Sequence, residues 1–177
     1  MLADPRHSCI VLLNATRRGG ADAKVAALCH NANLSLLPVC RDVFDVPQFA
    51  IGEYEQALLS HEVATSIEFV AVDCLSLWRD TRLAARLSEP GVGSIFLGGA
   101  FLEEELLIVA LEGARLGYDI RLIWDLSVAR DESDRAVALA RLAHHGVLAT
   151  TIRQTLLEWT VALDDPAVSL RIQEILS

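Results

Sequence analysis

The residues best placed to do chemistry lie at 97–105, where an apolar run passes through Gly98 and Gly99 into three consecutive carboxylates, Glu103, Glu104 and Glu105. A strand that turns through glycines into a helix N-terminus presents a nucleophile in many hydrolases, and here no nucleophile follows the turn. Two readings of the carboxylates stand side by side. Free N–H groups and the macrodipole favour acidic side chains in a helix's first turn by about 0.3–1 kcal/mol each. Burial could instead raise the pKa of Glu105 and make it a general acid, a base or a nucleophile.

Other candidates are scattered along the chain. Cys74 follows an apolar run and could act as a nucleophile, with Asp73 and Asp42 the nearest acids by sequence. His7, His30, His61, His144 and His145 fall on expected helices or at the N-terminus, none beside a nucleophile, and are read as structural. The loop Arg17-Arg18-Gly19-Gly20 could hold an anion at a helix N-terminus or be a solvated basic loop. Asp42, Asp45 or the glutamate cluster could take a hard cation, but no histidine accompanies them. No transition-metal site and no cofactor is therefore expected.

These residues need a scaffold, and the apolar pattern supplies one. Short, mainly apolar runs at 9–13, 36–40, 67–72, 94–97, 120–124 and 147–150 predict six strands, and runs that are apolar rather than alternating imply a parallel sheet buried on both faces. Stretches 22–34, 80–87, 103–116, 131–144 and 166–176 carry apolar residues at spacings of three and four and predict helices. Asp131 is expected to cap its helix, and Gly117 and Gly146 to end theirs. Residues 42–66 are the least regular, with a loop and one short helix expected. The result is an α/β fold, a three-layer α/β/α sandwich over residues 1–177 as a single domain. Ligands in such sheets bind beyond the carboxyl ends of the strands. That rule selects 14–20, 41–45, 72–78, 98–105 and 125–130.

Composition narrows the function. The chain has 177 residues and a formal net charge of −9, with no basic stripe for phosphates, which argues against nucleic-acid partners. Four cysteines without CxxC spacing suggest a reducing compartment. No apolar run is long enough to span a membrane and the N-terminus shows no targeting segment. A cytoplasmic location is expected, with a mitochondrial one lacking a recognisable transit peptide as the alternative.

The C-terminal half resembles the isochorismatase-like cysteine hydrolases, the group that includes nicotinamidases and isochorismatases. The resemblance rests on Gly99, Ala100 and Phe101, the helical stretch ending in Gly117 and Tyr118, the segments IRLIWDLSVARDESDRAVALARLAHHG and ATTIRQTLLEW, and the tail DDPAVSLRIQEIL, which looks like that of the isochorismatase domain-containing branch. It implies a catalytic aspartate, lysine and cysteine, whose positions fall on Asn14, Val72 and Glu105. All three residues differ from the triad, so a catalytically degenerate homologue, a pseudoenzyme, is expected. It would act through association as a homo-oligomer, a dimer or tetramer, or through ligand binding. The alternative is an active hydrolase with altered chemistry at Glu105 or Cys74 on a small amide or ester-like substrate. Gly99, Ala100, Phe101, Cys74 and Trp78 are the expected ligand-binding residues, and a sensor pocket would be lined by Phe69, Trp78, Phe101 and Trp124.

Overall fold

The computed structural model describes residues 2–18, 28–88 and 91–177. Six strands form one parallel sheet: β1 (Ser8–Leu13), β2 (Gln48–Ile51), β3 (Glu68–Val70), β4 (Ser94–Ala100), β5 (Asp119–Val128) and β6 (Leu148–Thr150). Their order is β3-β2-β1-β4-β5-β6, so the chain builds outward from β1 on one side and then returns to build on the other. The switch point of the sheet therefore lies between β1 and β4.

Every residue of β1 is buried, and their alternation divides the core in two. Cys9, Val11 and Leu13 pack with Leu83 and Leu87 of α3 (Thr81–Ser88), Val109 and Ala110 of α4 (Leu107–Arg115), and Ala138 and Leu142 of α5 (Arg135–His144). Ile10 and Leu12 face α1 (Leu37–Phe44), α2 (His61–Ser66), α6 (Ile152–Leu163) and α7 (Pro166–Leu176). Trp159 anchors this second layer, fully buried between Phe44 and Phe96 at centroid distances of 5.5 and 5.2 Å. The expected three-layer α/β/α architecture is the observed one.

The second strand is elsewhere than expected. All of run 36–40 but Leu36 belongs to α1, with Pro at its start and Leu37, Cys40 and Phe44 buried at helical spacing. The true β2 lies in the stretch expected to be irregular and opens on the polar Gln48, whose buried amide donates to Leu37 O at 2.6 Å. Of the helix expected at 22–34, residues 22–27 lie outside the described residues; the remainder forms two 3-10 turns, Leu28–His30 and Ala32–Leu36. Asp131 does not cap α5. Its carboxylate accepts from Ser133 N at 2.8 Å, and the helix starts four residues later. Helix α6, which no expectation covered, begins in a capping box between Thr151 and Gln154. Gly117 and Gly146 take the positive φ expected after α4 and α5. On α7, Ile172 is buried and Val168 and Leu176 pack on the core, whereas Ile175 faces outward.

Candidate functional site

Chain direction at the switch point is set by glycines. Gly99 has a φ of +131°, and a Cβ there would sit 2.0 Å from Leu13 O, so only glycine lets β4 run this close to β1. The following Ala100–Phe101 peptide is cis. At the end of β1, Asn14 turns into the left-handed region with a φ of +50°, where asparagine is among the best-tolerated side chains.

The Asn14 side chain is 1% exposed and fastens four segments together. Its Nδ2 donates to Ala100 O at 3.0 Å, and its Oδ1 accepts from Glu53 N at 2.9 Å. The Cys74 thiol donates to the same oxygen at 3.6 Å. Gly52 closes the remaining space: a Cβ there would lie 2.2 Å from Asn14 Oδ1 and 2.6 Å from Cys74 Sγ. An amide cannot take up a proton at neutral pH and so cannot act as a base, and here its oxygen and nitrogen both serve neighbouring groups.

Cys74 opens the 3-10 helix Cys74–Arg79 and is buried. Burial, reinforced by the negative charge of Glu105, pushes its thiol up to about 11, with Arg17 acting weakly in the opposite sense. At neutral pH it is a protonated thiol, the opposite of an activated nucleophile. Cys9 and Cys40 are likewise pushed up by burial.

The three glutamates diverge. Residues Leu102–Leu106 form a wide turn in which Glu104 leaves helical geometry (φ −109°, ψ −121°), and each carboxylate reaches a different partner. Both Glu105 oxygens accept from Arg17 Nη1, at 2.8 and 2.9 Å, while Arg17 Nε donates to Glu53 at 2.8 Å. Glu104 accepts from Arg130 Nε at 2.6 Å, and Glu103 from Asp131 N at 2.9 Å. Burial opposes the Arg17 charge, but its hydrogen bonds to Glu105 and Glu53 outweigh that and hold its pKa above the ordinary value. The Arg130 hydrogen bond holds Glu104 below the ordinary carboxylate range. Phe101, 1% exposed, lies under Arg130 at 4.4 Å and near Arg17 at 6.0 Å, so cation–π contacts complete the lattice. The glutamates are thus held by arginines and a loop amide rather than by the free N–H groups of the helix.

Of the residues selected from the sequence, the structure places Asn14, Cys74, Ala100, Phe101 and Glu105 around the switch point. Val72 is buried in the apolar layer that also holds Cys74 and Leu106, and only its backbone N–H has a polar role, donating to Val70 O at 2.8 Å. Trp78 turns elsewhere, stacking on Tyr118 and donating to Val109 O at 2.9 Å. Phe69 stacks on Tyr54 and Trp124 is 43% exposed, so the four aromatic residues of the expected sensor pocket have separate surroundings. Asp42 and Asp45 sit at the end of α1, ahead of β2 rather than beyond its carboxyl end. All five histidines are exposed, and among the described residues no group of three His, Cys, Asp or Glu could hold a metal. Glu53 was missed because β2 was misplaced; once β2 is set at 48–51, the rule of strand ends points straight to it.

No family model matches the chain. An isochorismatase domain-containing protein 1 from Danio rerio is 33% identical over 85 residues, a stretch that makes up 48% of this chain but only 30% of that relative. Among solved structures, a MAR1 ribonuclease from Caenorhabditis elegans superposes with a TM-score of 0.78 at 16% identity, covering 100% of this chain and 93% of its own. The YcaC gene product from Escherichia coli, described as an octameric hydrolase of unknown specificity, gives 0.71 at 16% identity over 97% and 88%. Sheet order, layer arrangement and these likenesses agree: the chain has the fold of the isochorismatase-like cysteine hydrolases.

Proposed function

We propose that this chain is a catalytically degenerate relative of the isochorismatase-like hydrolases that acts through oligomeric association. The observation that carries the reading is that Asn14, Arg17 and Glu105 at the switch point are engaged with groups of the same chain. The Asn14 amide serves Ala100, Glu53 and Cys74 at once. Arg17 grips Glu105 with both carboxylate oxygens engaged. A hydrolase needs a base positioned to take a proton and a nucleophile that deprotonates readily. The Asn14 amide cannot take up a proton, both Glu105 oxygens are engaged by Arg17, and burial pushes the Cys74 thiol up to about 11. The octameric state of the YcaC likeness supports association as the mode of action.

The test is turnover of a panel of small amides, carbamates, esters and vinyl ethers by the wild type and by Glu105→Gln and Cys74→Ala. The expected result is hydrolysis at the buffer rate in all three. Turnover by the wild type that disappears in either variant would establish the competing reading, an active hydrolase with altered chemistry at that residue. Light scattering is the companion measurement, and a monomer at micromolar concentration sinks the association half of the proposal.

A further inference from the structure

The two edges of the sheet are built differently. At the β3 edge, Glu68 pairs with Arg86 at 2.9 Å and Arg82 donates to Ala71 O at 2.9 Å, so charged side chains surround the open strand. Charges of this kind discourage a second strand from adding. The β6 edge carries no charged residue: it reads Leu148, Ala149, Thr150. Beside it, between β6 and α6, runs a groove of about 460 Å³ whose lining includes Leu2, Arg121, Leu148, Leu157, Glu158 and Val161. Its two charges are already joined, Arg121 to Glu158 at 2.6 Å. Leu2, Leu148, Leu157 and Val161 are 53%, 57%, 49% and 63% exposed, a contiguous apolar patch of the kind that marks an interface.

We propose that β6 is a homotypic interface, with two copies of the chain pairing their β6 strands antiparallel about a twofold axis at Ala149. This names the surface behind the association proposed above and rests on that reading. The register supports a second copy over any other occupant. Leu148 lies beside Arg121 and Thr150 beside Ile123, which puts both on the α6 face and Ala149 on the opposite one. An antiparallel pair about an axis normal to the sheet keeps both α6 faces on one side and sets each Leu148 opposite the partner subunit's Thr150. Each exposed leucine then stands at the mouth of the partner's groove, between Leu157 and Val161. Groove and filler are carried by the same chain, so one symmetry operation satisfies both copies and closes the assembly locally. Electrostatics point the same way. Each copy carries a net charge of −9, and two copies meet with less repulsion over a patch that is mostly apolar and whose Arg121 is shared between Glu158 and Asp119.

The experiment is gel filtration with light scattering on the full chain. Leu148→Lys and Val161→Lys are expected to halve the mass of the dimer or higher even-numbered assembly. Val137→Lys and Leu170→Lys, at residues 69% and 64% exposed outside the groove, are expected to leave it unchanged. Circular dichroism checks that each variant folds. In a second arm, Ala149→Cys is expected to give a covalent dimer on mild oxidation that the wild type, with its own four cysteines, does not form. An oligomer whose mass survives both lysine variants, with no added cross-link, overturns this surface and leaves association standing. Equal dissociation by Val137→Lys also overturns it. A wild-type monomer overturns the surface and the association reading together.

Discussion

At the carboxyl ends of β1 and β4, the polar groups of Asn14, Arg17, Glu104 and Glu105 have partners within the chain, whereas along β6 four large apolar side chains face water. The first region lies where a parallel sheet normally receives a ligand, yet its groups are spent on one another. The second lies where a sheet normally defends itself with charge, yet β6 itself carries no charged residue. On the proposed reading, the cleft holds strand ends together and the edge meets other molecules. If so, substitutions in the cleft should cost folding stability, and substitutions at the edge should cost association.

The largest effect is expected from Asn14→Ala. It leaves the buried Ala100 O and the partly buried Glu53 N without their side-chain partner and removes the nearer of the two acceptors of Cys74. Buried polar groups left unpaired cost about 1–3 kcal/mol each, so urea denaturation should show a loss of about 3 kcal/mol. Arg130→Ala in the same cluster should cost far less, because its pair with Glu104 is half exposed and screened by solvent. If Asn14→Ala proves no worse than Arg130→Ala, the cleft is not a structural lock and the contrast with β6 fails.

A smaller effect is expected at alkaline pH. Cys74 in the folded chain is pushed from its ordinary value of 9.0 up to about 11, so the native state holds this proton more tightly than the unfolded state. Its contribution to stability is complete below pH 9 and declines as pH rises from there toward 11, by at most about 1.4 kcal/mol per pH unit. Cys9 and Cys40 act in the same direction. Unfolding free energies of the wild type and Cys74→Ala across that window should diverge, the variant falling less steeply. Identical slopes would mean that the thiol is not held protonated in the cleft.

How far these regions could be read from sequence follows from what each residue has to do. Strand β1 was legible because all six of its residues are buried, and β4 because its apolar run leads into glycines that only a close strand pair requires. Run 36–40 misled because five apolar residues look alike in a strand and a buried helix, and only the later Phe44 reveals helical spacing. That single error hid Glu53, since the residues beyond a strand's end cannot be chosen until the strand is placed. Asn14 and Glu105 could be located, but their partners could not: Arg17 reaches across 88 positions to Glu105, a pairing that no local pattern encodes. The β6 edge was invisible for the opposite reason. Leu148 lies in a run read as a strand buried on both faces, and its exposure is a property of the assembled layers.

The smallest effect separates the two regions most cleanly. Leu157→Ser replaces a half-exposed leucine that the folded monomer does not bury, so below the concentration of assembly its unfolding free energy should stay within about 0.5 kcal/mol of the wild type. The same substitution removes apolar area from the proposed contact and should raise the dimer dissociation constant about tenfold or more, a difference of about 1.4 kcal/mol in association. Asn14→Ala should do the reverse, lowering stability while leaving the dissociation constant of the remaining folded protein unchanged. Sedimentation velocity as a function of concentration, paired with denaturation of each variant, measures both quantities. A Leu157→Ser variant that loses several kcal/mol of monomer stability would show that this face belongs to the core, and the division between a closed cleft and an open edge would not hold.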